Sequence, residues 1–158
     1  MMGPMPEPGV SQIDPSRDAR WDEYVLRHPD ATAYHLGAWA EILNRSYRFE
    51  PRYLALVDGS SELRGVLPLT MKRGPLSGRR MRSLPVVPTG GPLADDAVGA
   101  EMLCAAACEM AEQSGSALII EGRQGGLEAR EPRLRATRRP PSWVTALPEP
   151  GAGDAWLA

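Results

Sequence analysis

The apolar positions of this chain change period several times, and each change marks an element. Trp21, Tyr24 and Val25 recur at helical spacing, with His28 continuing the stripe. Asp14, Pro15 and Ser16 offer caps ahead of this helix, and Pro29 ends it near His28, because a residue before proline is pushed out of the helical region. A second helix is predicted over residues 36–47, where Trp39, Ile42, Leu43 and Tyr47 form an apolar stripe. Residues 52–58 (RYLALVD) read as a strand, Asp58 and Gly59 as a turn, and residues 63–71 as the returning strand of a hairpin. A third strand is predicted over 82–87, with Pro85 and Pro88 marking an edge or a bulge.

The longest helix is predicted over 94–114. Met102, Leu103, Ala106, Ala107, Met110 and Ala111 face inward, while Glu101, Glu109 and Glu112 face out. Asp95 and Asp96 suit its positive end, and Gly115 suits its C-cap. Residues 117–121 (ALIIE) form an unbroken apolar run of the kind found in a strand covered on both faces. Residues 127–139 read as a loop followed by an exposed strand, and 142–147 (SWVTAL) as a last short strand. Hairpins feeding a helix that crosses to a buried strand give the α/β class, a mixed sheet flanked by helices. The proline-rich segment 1–15 is expected to be loose, an ordered domain to span 16–148, and 149–158 to be a linker.

Length adds one constraint: 158 residues make about one domain, large enough to bury a core without staples. Charge adds another. Lys+Arg is 18 and Asp+Glu is 20, so the net charge of -2 provides no global basic field for nucleic acid. Cys104 and Cys108 fall four apart on one helix face and complete no metal site, so they read as small buried hydrophobes. The first ten residues lack the pattern of a signal peptide, and no run approaches the roughly 20 apolar residues of a membrane span. A cytoplasmic protein without metal or cofactor is the default expectation.

The stretch 65–91 concentrates the candidate chemistry. Lys72, Arg73, Arg79, Arg80 and Arg82 place five cations within eleven residues, between the apolar runs of two strands. Guanidinium groups bind phosphate or carboxylate bidentately, so a basic connection at a sheet rim is a candidate anion site. The plainer reading is a hairpin whose solvated arginines protect an edge. Gly90 and Gly91 would permit close backbone approach to a ligand, or simply form a turn.

Taken in order, several segments resemble the N-terminal half of the FemAB-like branch of the GNAT acyltransferase fold, the branch associated with exosortase and exopolysaccharide systems. They are residues 21–39 (WDEYVLRHPDATAYHLGAW), GVLPL at 65–69, SLP at 83–85, the glycine pair Gly90 and Gly91, and the E-x-R of Glu121 and Arg123. The resemblance implies a GNAT-like half of a tandem two-domain enzyme that forms amide bonds. Such an enzyme would move an acyl or aminoacyl group onto a peptidoglycan or exopolysaccharide precursor. It also implies an anionic or lipid-linked acceptor, with aminoacyl-tRNA handled by a second domain. A half with its apolar side meant for that domain could pair with itself.

Within this resemblance Glu121 is the candidate base, and its plainer role is an ion pair with Arg123 or a neighbouring arginine. Arg123 is a candidate for the acceptor's phosphate or carboxylate. Lys72, Arg73, Arg79 and Arg80 are candidates for the diphosphate of a nucleotide- or lipid-linked sugar. His28 and His35 read as structural. The segment 89–96 departs from a coenzyme A loop: Pro92 lacks an N–H, and Asp95 and Asp96 repel a diphosphate. An acetyl-CoA-dependent enzyme and a non-catalytic α/β binding module are the alternatives.

Overall fold

The computed structural model describes residues 8–74, 78–87, 89–122 and 126–137. Their elements, in chain order, are β1 (Gly9–Gln12), α1 (Ala19–Arg27), a single 3-10 turn (Ala33–His35), α2 (Gly37–Tyr47), β2 (Glu50–Pro51), β3 (Leu54–Val57), β4 (Leu63–Leu67), β5 (Leu69–Gly74), β6 (Gly78–Ser83), β7 (Leu93–Ala94), α3 (Ala97–Ser114), β8 (Ser116–Ile119) and α4 (Leu127–Arg130). The chain is mixed α/β, with two four-stranded sheets flanked by helices. One sheet has the order β1-β3-β4-β7 and the other β2-β5-β6-β8.

Pro68 explains why there are two sheets. It interrupts what the sequence presents as one strand, and the chain leaves the first sheet at Leu67 and enters the second at Leu69. A proline has no N–H to give a ladder, so a buried strand breaks there. All pairs are antiparallel except β6 with β8, which run parallel on either side of the α3 crossover. The parallel ladder ends at Arg82 opposite Ile119.

Two cores result. Trp21, Tyr24, Val25 and Leu43 from the first helices close over Tyr53, Val66 and Leu84. Leu103, Ala107 and Ala111 of α3 close over Leu54, Leu67, Leu69, Met71 and Met81. The alanines let α3 lie close to the sheets, and its ends are set locally. Asp96 accepts the Gly99 N–H at 2.7 Å as N-cap, and Gly115 ends the helix with a left-handed φ of 60°.

Several expectations are corrected. Residues 9–12, expected to be loose, pair along the full length of β3. In α2 the buried positions are Gly37, Ala40 and Leu43, whereas Ile42 and Tyr47 stand 43% and 47% exposed. The basic connection is itself strand. Lys72 pairs with Arg80, Arg73 with Arg79 and Gly74 with Gly78, extending the hairpin well beyond Met71. The chain leaves β6 at Ser83, and residues 84–87 turn away through left-handed Leu84 (φ 36°) and Val86 (φ 65°) instead of completing a strand to Val87. The run at 117–121 is covered on one face only, with Ala117 and Ile119 exposed. Residues 127–130 form one helical turn rather than a loop. The strand expected at 142–147 and the linker at 149–158 lie outside the described residues.

Candidate functional site

Where β6 and β8 part, side chains replace the lost ladder. The Glu121 N–H donates to Ser83 Oγ at 2.7 Å, and the Gly90 N–H donates to the Glu121 carbonyl at 2.9 Å. A Cβ on Gly91 would stand 2.8 Å from Gly122 Cα, and one on Gly90 would stand 2.4 Å from Leu84 Cβ. Gly91 is therefore required by backbone-to-backbone packing and Gly90 by the Leu84 side chain against it, reasons independent of any ligand. The Glu121 side chain is buried, and its carboxylate accepts from Nε and Nη2 of Arg82. One partner arginine is thus supplied by β6. Arg123 lies outside the described residues.

The five cations do not form one group. Register places Lys72, Arg80 and Arg82 on one face of the β5–β6 hairpin and Arg73 and Arg79 on the other. Lys72 Nζ lies 4.7 Å from the centre of the Phe49 ring, and Arg79 donates to the Ser114 carbonyl at 2.9 Å, at the end of α3. Neither of the hollows against Gly122 is lined by any of the five.

The first of these hollows, about 300 Å³, lies between the glycine pair, Gly122 beyond β8, and the opening turns of α3 at Ala97 and Ala100. Its ionisable lining is His28, Asp30, His35 and Asp96, with no lysine or arginine. His28 and His35 are held from the connection between α1 and α2. The Asp30 N–H donates to His28 Nδ1 at 3.2 Å, so the neutral ring's hydrogen is on Nε2, 3.2 Å from the Ala94 carbonyl. The Thr32 N–H donates to His35 Nδ1, also at 3.2 Å, which likewise puts that ring's hydrogen on Nε2. His35 is 3% exposed, and its Nε2 approaches the Gly91 backbone without completing a hydrogen bond. Burial holds its imidazole below the ordinary value, against a weaker upward pull from the Gly91 backbone.

This arrangement accepts a small neutral or cationic ligand better than an anion. Asp30 and Asp96 set its charge. Asp96 also occupies the Gly99 N–H, a donor that a phosphate at the helix start would need, and Pro92 offers none. The hollow was not visible in the sequence because its histidines read as structural; only the fold shows that they form its wall. The nearest signal was the clustering of His28, Asp30 and His35 within eight residues.

Among the described residues no group of three or more His, Cys, Asp or Glu side chains could hold a metal ion, and no helix is long and apolar enough to cross a membrane. No family model, curated protein or solved structure matches this chain.

Proposed function

We propose that this chain is the acceptor-holding part of a FemAB-like acyl- or aminoacyltransferase, which forms an amide on a cell-envelope or exopolysaccharide precursor. The observation that carries the proposal is the hollow between Gly90, Gly91, Gly122 and the start of α3. Ligands of α/β sheets bind in the crevice beyond the carboxyl ends of the strands, and this hollow lies beyond β8 beside its parallel neighbour. Amide formation depends on holding an amine close to an acyl carbon, and positioning alone supplies several kcal/mol. Asp30 and Asp96 suit the amine end of an acceptor. Glu121, bonded to Arg82, serves here to fix the end of β8 against β6.

The engagement of Glu121 also favours a second reading, a non-catalytic α/β binding module. Calorimetry with glucosamine, with lysinamide and with coenzyme A tests the binding common to both. Both expect the amines to bind and coenzyme A not to. Coenzyme A binding without amine binding would contradict both readings. Supplying aminoacyl-tRNA with a bound amine then separates them: an amide product supports the transferase, and amine binding without product supports the module.

A further inference from the structure

Two carboxylates line the hollow, and their surroundings differ. Asp96 is the N-cap of α3, where its Oδ1 accepts the Gly99 N–H at 2.7 Å. It also stands at the positive end of that helix, which opposes a cation arriving beside it. Asp30 is exposed and lines the hollow, so it stands at the rim. Among the described residues its carboxylate has no hydrogen bond or ion pair. Arg27 and Arg64 line the shallow groove on its other side. Arg64 is engaged by Asp58 and Asp95, and Arg27 forms no ion pair among the described residues.

The turn that presents Asp30 is held by His28. The Ala31 N–H donates to the His28 carbonyl at 3.1 Å, which closes the turn. The Asp30 N–H donates to His28 Nδ1, and Nε2 of the same ring donates to the Ala94 carbonyl, each at 3.2 Å. Tyr24 packs against the imidazole with ring centres 5.8 Å apart, and its own hydroxyl donates to Asp95 at 2.9 Å. Both nitrogens of His28 are thus engaged by the backbone of residues that line the hollow, and neither is left for a ligand. The ring acts as a bracket between Asp30 and Ala94. A carboxylate on a fixed turn loses little freedom when it binds, which strengthens its hold on a ligand that needs it. An ammonium needs such an anionic partner, whereas a hydroxyl in the same place does not.

We propose that Asp30 is the specificity-determining residue of the hollow, reading an acceptor's amine against a hydroxyl, and that His28 is the residue that positions it. This inference rests on the acceptor reading of the hollow and narrows the amine contact to one carboxylate.

Calorimetry of the full chain with glucosamine and with glucose tests it, because the two sugars differ by an amine in place of a hydroxyl. The unmodified chain is expected to bind glucosamine more tightly. D30N should lower the ratio of the two affinities about fivefold, as expected for an exposed ion pair. D96N keeps a capping side chain, so α3 stays intact and the ratio should fall less. H28F should also lower the ratio, and H28F with D30N no further than D30N alone, because His28 acts through Asp30. A purely structural role for His28 would instead weaken both sugars alike, and that result would overturn its positioning role. Glucosamine binding no tighter than glucose, a ratio unchanged in D30N, or a larger fall in D96N would overturn the inference and leave the acceptor reading standing. Failure of both glucosamine and lysinamide to bind the unmodified chain would overturn the acceptor reading and this inference with it.

Discussion

Arg82 on β6 and Glu121 beyond β8 form an ion pair across the point where their strands stop pairing, with Glu121 buried and Arg82 about one-third exposed. The pair sits where backbone hydrogen bonding gives way to side-chain and glycine contacts. It anchors the wall of the hollow at Gly122 without lining it.

Removing Arg82 should therefore cost more than removing the charge of Glu121. R82M removes one charged partner of a buried carboxylate and is expected to lower stability by about 2 kcal/mol. E121Q leaves a cation that water already reaches, so its cost should stay nearer 1 kcal/mol. Urea unfolding of both variants and of the double variant measures the order and the coupling.

The glycines beside this pair should differ sharply from the hairpin glycine. In G91A the new methyl meets the backbone of Gly122 at 2.8 Å and of Glu121 at 3.1 Å, so main chain must move. A loss of about 2 kcal/mol or more is expected, with altered amide shifts around the hollow. Gly78 has open space and a φ of 68°, so G78A should show only the left-handed penalty of about 1 kcal/mol. Denaturant midpoints of the two variants decide the comparison.

Much of this geometry was legible in the sequence, and the misses have physical causes. The Trp21, Tyr24 and Val25 stripe, stopped by Pro29, gives α1, although its N-cap is Asp18 and not the segment 14–16. The body and C-terminal end of α3 are likewise written in its alanines and Gly115, but it starts at Ala97 after the Asp96 cap and not at Ala94, which is in β7. The Arg-rich hairpin was hidden because charged residues on an exposed edge leave no alternation of apolar and polar positions. In α2 the stripe misled. Small Gly37 and Ala40 make the close approach, leaving Ile42 and Tyr47 at its margin. The hollow was illegible because it joins the α1–α2 connection to the glycine pair and α3, a contact between segments far apart in sequence.

The buried thiols should be inert in the native state. Burial pushes the Cys104 thiol up to about 12 and raises that of Cys108, aided for each by the nearby Glu131 carboxylate. Iodoacetamide at mildly alkaline pH is expected to label neither cysteine in the folded chain and both in denaturant. Mass spectrometry of the intact protein reads the result.

Acid should destabilise the chain in two windows. His35 has a folded value below its ordinary 6.5, so the unfolded chain binds more protons as pH falls past 6.5, and stability drops. The Arg133 side chain holds Glu131 at about 2, below its ordinary 4.5, so its contribution is present above 4.5 and lost as pH falls toward 2. H35Q should flatten the first slope and R133Q the second, in denaturant midpoints measured against pH.

The proposed acceptor seat is tested most directly by amide chemical shifts in the uniformly labelled chain during titration with glucosamine. The account expects saturable shifts at Thr89, Gly90, Gly91, Ala97, Ala100 and Gly122, which line the hollow, with little change at Lys72 or Arg80. Absence of saturable shifts, or shifts confined to the hairpin and silent around Gly91, would contradict it.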